Sequence, residues 1–526
     1  MANNPYQVVK LISSGSFGSV FKAERDGQQV AIKQFHLASS NAIGALYFKE
    51  VDYLVRCQHP NIVKAIEVTY GLPYRRESTP GLATSTPDQL FVILPLAEAS
   101  CHDFLIDDPD TPPQLSVAQK KRFMAQITSA LQYLHVNDII LRDLKSNNIL
   151  VFKDPHHTDT FNAVVCDMGM TKQIAPGVSN SEHVGTRSYK APELLFESRN
   201  YGKEVDIWSL GVIFFNMFNT IYPFDPIADI KGDHKKTRET LFKMFKRRGK
   251  PNRAVFNRLS GGGNAVVRYE ELLDSDGSEM KNFFEQRANH LDEFESHSAS
   301  LQNFGSLEDY QDLLEKIFNL DPSKRLTVEQ VFDHPFFADV PKQEDASDIW
   351  RGLKMIRAQK EEYHILTKTK QDIRSKGFPV MKKFNTGCHK LGWRILFLGM
   401  DIYERCLLAM EAKEAGWDNI ESIELLAYVS IYLAAKYLLD DSIISYRQLF
   451  PKIIFDDSKI IVTEQTILIS FLKWRIGRLT VYDLLPQKRK PKVLLRLLME
   501  AGDSVYGQKI DKIAKVFSET IQKKSK

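Results

Sequence analysis

Two carboxylates and an amide, Asp143, Asn148 and Asp167, stand in the stretches LRDLKSNNIL and CDMGM, on short turns that follow apolar segments. Such side chains, brought together, can hold a divalent cation against phosphate oxygens while one carboxylate orients a nucleophilic hydroxyl. Far upstream, ISSGSFGSV (Ile12 to Val20) breaks a strand with Gly15-x-x-Gly18, and VAIK places Lys33 on the next strand. Glycines there let backbone approach a phosphate, and a neighbouring ammonium can neutralise it. Glu50, on the following helix, can pair with Lys33. Taken singly, each feature has an ordinary reading: the glycines as a tight turn, the Lys and Glu as solvated surface charges.

The elements that must position these groups follow from the patterning. From Tyr6 to Ile93, short β-rich runs (YQVVKLIS, SVFKAE, QVAIKQF, AIEVTY, FVIL) surround one helical stretch, ALYFKEVDYLVR. This predicts a mostly antiparallel sheet with one helix. After Ala97 the segments VAQKKRFMAQITSALQYLHV and EVDIWSLGVIFFNMFN carry apolar residues at helical spacing, so the next region is mainly α. GLPYRRESTPGLATSTPDQ and the polar stretch between Leu259 and Ser306 read as surface insertions. A helical connector follows Pro341, and another helical region begins near Gly387. The resulting division is 1–97, 98–338, 339–384 (connector), 385–500 and a basic tail, 501–526.

Composition narrows the class. The 526 residues exceed what one core usually serves, and 43% apolar residues suffice for several. Seventy basic and 66 acidic residues give a net charge of +4, a mixed surface that argues against a dedicated nucleic-acid binder. Five scattered cysteines without a C-x-x-C pair support neither a disulfide framework nor a zinc site. The start MANNPYQVVK lacks the apolar core of a secretory signal, so an intracellular location, cytoplasm or nucleus, is expected. The most apolar run, Leu425 to Leu439, is shorter than the ~20 residues that span a bilayer and contains Lys436; it reads as a buried helix, with no membrane partner.

In content and order, VAIK, HPNIVK, LRDLKSNNIL, CDMGM, GTRSYKAPELLF, DIWSLG and DPSKRLT with HPFF resemble the eukaryotic protein kinase family over about residues 6 to 338. The resemblance implies an α+β, two-lobed fold, a sheet-rich N-lobe and a mainly helical C-lobe, with ATP and Mg2+ as cofactors and proteins as substrates. By it, Lys33 grips the α and β phosphates and is positioned by Glu50. Asp143 accepts or orients the acceptor proton, Lys145 neutralises the transferred phosphoryl group, and Asn148 and Asp167 hold magnesium. The nucleotide is expected against Ile12, Ser13, Gly15, Phe17, Gly18, Val20 and Ala31, with Leu94 as gatekeeper and Pro95, Leu96 and Ala97 beside adenine. Asp206 and the Glu193 and Arg325 pair are expected as braces. Lys145 stands where tyrosine-directed kinases have alanine, which together with Thr186 implies serine or threonine acceptors.

Three departures keep open an alternative, a pseudokinase that binds a nucleotide or partner: Leu141 for the histidine of H-R-D, Met168 for the phenylalanine of D-F-G, and Ser13 for the first loop glycine. None removes a reacting group. LFKMFKRRGKPNRAVF resembles an insert of the cyclin-dependent kinase group, although the Glu50 helix does not spell that group's cyclin-binding sequence. LLAYVSIYLAAKYLLDD with TEQTILISFLKWRIGRLTVYDLL resembles a cyclin box, an all-α domain. By that resemblance Lys436 and Glu464 dock against the regulatory helix in an intramolecular contact with the N-lobe. Ser181 stands where related kinases carry an activating phosphate, and Arg142 is present to receive its charge.

Overall fold

A computed structural model of the chain describes residues 6–15, 18–35, 42–70, 74–75, 90–105, 115–154, 160–174, 180–181, 184–219, 222–225, 232–249, 251–260, 307–340, 381, 392–409, 420–438, 449–450, 455, 457–468 and 472. Phe17, the connector expected after Pro341 apart from Met381, the polar stretch before Ser306 and the basic tail lie outside these residues.

The first elements are β1 (Tyr6–Ser14), β2 (Gly18–Arg25), β3 (Gln28–Phe35), α1 (Ala42–Arg56), β4 (Glu67–Tyr70), β5 (Tyr74–Arg75) and β6 (Leu90–Pro95). The six strands form one sheet in the order β4-β6-β3-β2-β1-β5. Asp26 and Gly27 both have positive φ, 54° and 77°, and join β2 to β3 by the tight turn whose twist suits a hairpin. Tyr6, Ala23, Val30, Ile32, Phe91 and Ile93 form a buried cluster on the sheet. One expectation needs correcting: Tyr74 and Arg75, read as part of a surface insertion, form β5 and pair in parallel with Tyr6 and Gln7. A two-residue strand is too short to show a period of two in sequence.

A second group of elements comprises β7 (Ala99–Ser100), α2 (Val117–Val136), β8 (Ile139–Ile140), β9 (Ile149–Lys153), β10 (Phe161–Val165) and β11 (Lys172–Gln173). Then come α3 (Pro192–Leu195), α4 (Glu204–Phe218), α5 (Asp233–Arg248), α6 (Arg253–Leu259), α7 (Leu307–Ile317) and α8 (Val328–Phe332). Ser116 caps α2 by accepting from the Gln119 N–H at 3.2 Å. Helix α4 is apolar nearly all round and is buried on every side from Val205 to Met217, as a central helix must be. A Cβ at Gly211 would collide with Ile317 Cγ2, so this glycine admits the end of α7 against α4.

Three further helices are α9 (Gly392–Ala409), α10 (Ile420–Leu438) and α11 (Asp457–Thr466). A Cβ at Gly399 would lie 2.9 Å from the Ile431 backbone, so the glycine permits α9 and α10 to pack closely. The chain divides into two compact units: Met1–Arg56 and Ala65–Leu94 with Arg351–Lys526, and Cys57–Lys64 with Pro95–Trp350. The helices expected to make a third core thus belong to the same unit as the sheet. Within that unit the Tyr437 hydroxyl on α10 donates to Asp52 on α1 at 3.0 Å and accepts from Arg56 at 3.3 Å, while Arg56 pairs with Asp52 at 3.1 Å. Burial first, then the Asp52 charge, push the Tyr437 hydroxyl far above its ordinary pKa. No helix among the described residues is long and apolar enough to cross a membrane.

Candidate active site

In the sheet unit, Val20 on β2 stands opposite Lys33 on β3, and Lys22 opposite Ala31. Lys33 forms an ion pair with Glu50 of α1, and the two side chains are 13% and 4% exposed. A nearly buried pair of this kind is well fixed, because separating it would strand a charge away from water. Tyr47, one turn before Glu50, packs its ring against Phe35 at 4.2 Å, and burial raises its hydroxyl pKa to about 12.

The loop at β1–β2 closes through the Gly15 N–H donating to the Gly18 carbonyl at 2.9 Å. Its two glycines serve different ends. A Cβ on Gly18 would strike the Gln34 carbonyl, whereas one on Gly15 would meet nothing within 4 Å. Gly18 is therefore required by strand β3, and a side chain at Gly15 would meet none of the described residues. Ile12 is exposed, and Ser13 pairs with Val20 beyond an irregularity in the β1–β2 register. Leu94 is half-buried and follows the buried run Leu90, Phe91, Val92 and Ile93 of β6.

In the second unit the segment 141–148 is suspended from one buried carboxylate. Asp206 accepts from the Leu141 N–H at 2.9 Å, the Arg142 N–H at 2.8 Å and His135 Nε2 at 3.0 Å. Arg142 takes φ 68°, a conformation uncommon without glycine, and its Nε donates to the Met170 carbonyl at 2.6 Å. Leu141 and Met168, the two departures from the family pattern, are 3% and 0% exposed, so both serve as packing residues. The expected braces are in place: Arg325 grips both oxygens of Glu193, at 2.8 and 3.2 Å.

Asp143 lies at the centre of a compact polar group. Its Oδ2 accepts from Lys145 Nζ at 2.7 Å and its Oδ1 from the Thr186 hydroxyl at 2.7 Å, while Lys145 also donates to Thr186 at 3.1 Å. Thr186, which the family resemblance links to serine or threonine acceptors, is thus placed on the carboxylate itself. The Asn148 amide nitrogen donates to the Asp143 carbonyl at 2.9 Å, which leaves its side-chain oxygen as the ligand end. The Asn148 carbonyl accepts from the Cys166 N–H at 2.8 Å, which ties the chain carrying Asp167 to the same loop. Asp167 adopts φ 58° and accepts from the Gly169 N–H at 3.3 Å.

No group of three or more His, Cys, Asp or Glu suited to a metal occurs among the described residues. One carboxylate and one amide oxygen, Asp167 and Asn148, still fit magnesium, which retains water and phosphate oxygens and needs few protein ligands. Pro95, Leu96 and Ala97 are half-buried and lead into Glu98, whose N–H donates to the Val151 carbonyl at 2.9 Å. Ser181 is only 4% exposed, and its carbonyl accepts from the Tyr201 hydroxyl at 2.8 Å.

Lys436 and Glu464 bond to one another, at 2.9 and 3.2 Å, and join α10 to α11. Burial alone would lower the Lys436 pKa; the charge and hydrogen bond of Glu464, with Tyr432, raise it instead. A side chain that bonds to α1 is the neighbouring Tyr437, which sequence reasoning did not single out. The signal was present as a charged residue, Asp52, on the apolar face of α1.

A family model described as the protein kinase domain matches residues 6–337. Cyclin-dependent kinase G1 from Arabidopsis thaliana is 28% identical over 348 residues, 64% of this chain and 50% of that protein. Cyclin-dependent kinase F-3 from Oryza sativa subsp. japonica is 28% identical over 334 residues, 63% of this chain and 65% of the relative. The chain thus spans one half to about two thirds of the length of these curated relatives. The match covers the sheet with its Lys33 and Glu50 pair and the loops around Asp143 and Asp167, a combination that fits the two-lobed kinase fold, and this chain belongs to the protein kinase family.

Proposed function

We propose that the chain is a serine/threonine protein kinase dependent on ATP and magnesium, which transfers the γ-phosphoryl group to protein hydroxyls. The observation that carries this reading is the Asp143, Lys145 and Thr186 group, in which a carboxylate is fixed by an ammonium and a hydroxyl at hydrogen-bond distance. Each carboxylate oxygen retains a further lone pair for an acceptor hydroxyl. Asp143 orients that hydroxyl and takes its proton as the oxygen bonds to phosphorus and ADP departs. Lys145 offsets negative charge on the transferred group, and Lys33 grips the remaining phosphates. Asn148 and Asp167 would hold magnesium, which would supply positive charge to offset that developing on the phosphates.

Transfer from ATP with magnesium to a serine or threonine peptide tests this reading. Wild type should label the peptide far above Asp143→Ala; equal labelling by both would end the proposal in favour of a binding module.

The same reading includes regulation in cis by a cyclin-like C-terminal region comprising α9, α10 and α11. Its support is that α1, the helix bearing Glu50, is bonded through Asp52 and Arg56 to Tyr437 of α10. A chain ending near residue 340 should lose most activity, and Tyr437→Phe, a smaller disturbance, should lose part of it. Full activity in both contradicts regulation in cis. Ser181 belongs to this proposal as a phosphate acceptor whose charge Arg142 receives. At 4% exposure Ser181 has to swing outward to be modified. Mass spectrometry of active protein without phosphate at Ser181 would remove that step.

A further inference from the structure

Every polar atom of Ser146 is engaged. Its hydroxyl lies 2.8 Å from the Tyr189 hydroxyl and 3.4 Å from His102 Nδ1. Its N–H donates to the Tyr189 hydroxyl at 3.4 Å, and its carbonyl accepts from the His102 N–H at 3.3 Å. Ser146 is 1% exposed and Tyr189 3%, so neither has water as a substitute partner. Two buried hydroxyls that satisfy one another are ordinary packing where they join inert segments. Here they join the two stretches that carry the reacting groups.

Ser146 directly follows Lys145 and opens the short turn Ser146–Asn148. The Asn148 N–H closes that turn by donating to the Lys145 carbonyl at 2.9 Å, so the ammonium and the amide are both hinged on Ser146. Tyr189 ends the short turn Arg187–Tyr189, and its N–H donates to the Thr186 carbonyl at 3.0 Å. Thr186 and Tyr189 therefore move together. At one end of their turn Thr186 bonds to Asp143 and Lys145, and at the other Tyr189 bonds to Ser146. The turn is held from outside as well: the Ser209 hydroxyl of α4 donates to the Tyr189 carbonyl at 2.8 Å, and the Tyr189 hydroxyl donates to that of Tyr222 at 3.4 Å. Burial raises the Tyr189 pKa, so the hydroxyl keeps its proton. With the Thr186 contacts alone the two stretches could rotate about a single point; the Ser146 contact is a second point and removes that freedom.

We propose that Ser146 is a positioning residue for phosphoryl transfer: through Tyr189 it sets the angle at which Lys145 and Thr186 meet Asp143, with His102 as its second anchor. Its effect passes entirely through these neighbours. The inference rests on the phosphoryl-transfer reading and adds to it a residue outside the reacting groups.

The test measures steady-state transfer from ATP to a serine peptide by the full chain. Ser146→Ala should lower kcat about tenfold and leave KM for ATP and for peptide within about twofold, because the bound groups remain and only their alignment is lost. Tyr189→Phe removes the same contact from the other side and should cost a similar factor. The double variant should be no slower than the slower single variant, since one contact is lost in all three. Thr128→Val removes an equally buried hydroxyl from the middle of α2 and should keep the wild-type kcat. Wild-type kcat in both single variants, a loss confined to KM, a double variant slower by the product of the two factors, or an equal loss in Thr128→Val overturns the proposal and leaves the kinase reading intact. Thermal melts confirm folded protein; should Ser146→Ala fail to fold, Tyr189→Phe against Thr128→Val decides alone. If wild type transfers no more phosphate than Asp143→Ala, the kinase reading falls. Ser146 is then judged by amide hydrogen exchange: faster exchange at residues 145–149 and 186–189 in the variants, with α4 unchanged, supports the positioning role, and exchange equal to wild type overturns it.

Discussion

The Lys33 and Glu50 pair and the Asp143 group reach similar order by opposite routes. Asp143 is fixed by near neighbours in sequence, Lys145 and Asn148, and by Asp206, which anchors the loop through backbone N–H groups. Lys33 is fixed by Glu50, and Glu50 by a helix whose other bonds run to Tyr437, 385 residues beyond Asp52. Every group that fixes Asp143 lies in the second unit, including Thr186, 43 residues away. The Lys33 and Glu50 pair depends on a helix bonded to a distant one and can be adjusted through it.

The largest expected effect breaks the local arrangement at its reacting group. Asp143→Asn keeps the shape and removes the proton acceptor, so transfer should fall by about 10^2- to 10^4-fold with the melting temperature nearly unchanged, as steady-state rates and calorimetry would report. Asp206→Ala attacks the support instead. It strands two backbone N–H groups and His135, and should cost about 3 kcal/mol in urea unfolding along with most of the activity. If stability held, the loop would not depend on that carboxylate.

Smaller effects sharpen the contrast. Tyr437→Phe removes a donor to the buried Asp52 and should cost about 1–3 kcal/mol, with a several-fold fall in rate although every group around Asp143 is unchanged. Unaltered kinetics would separate α10 from the Glu50 helix. His59 tests the second unit through pH, because burial lowers its pKa to about 4. Its unfolded value near 6.5 is higher, so between those values the unfolded chain binds more protons and acid favours unfolding. Stability should fall by about 2 kcal/mol from pH 7 to pH 5, and His59→Gln should flatten that slope. The smallest effect is expected from Ser13→Gly, a change of at most about threefold in ATP affinity, because Ser13 lies in a strand pairing and adds only stiffness or a hydroxyl. A switch from inactive to active there would assign the loop far greater weight.

What was readable in sequence follows the same division. The alternation of VAIK and the loop motifs around Asp143 are local patterns, and local physics shapes them. The Thr186 contact to Asp143 was less visible, since it joins residues 43 apart through a side chain that sequence treats as an ordinary loop threonine. Asp52, Arg56 and Tyr437 were barely legible: a charge on the apolar face of α1 was the one signal, and only the meeting of the three side chains reveals a network. Gly18 illustrates a subtler miss. Its place in a phosphate-loop motif was clear, but its steric necessity comes from Gln34 on the next strand.

The most direct test of the account is the initial rate of phosphoryl transfer per molecule, measured on the full chain with ATP and magnesium and no added partner, over about a hundredfold range of protein concentration. A kinase whose Glu50 helix is held in cis should show a constant specific activity that vanishes with Asp143→Ala, because tethering makes the contact independent of concentration. A specific activity that rises with concentration would contradict regulation in cis, and a rate no greater than that of Asp143→Ala would contradict the kinase itself.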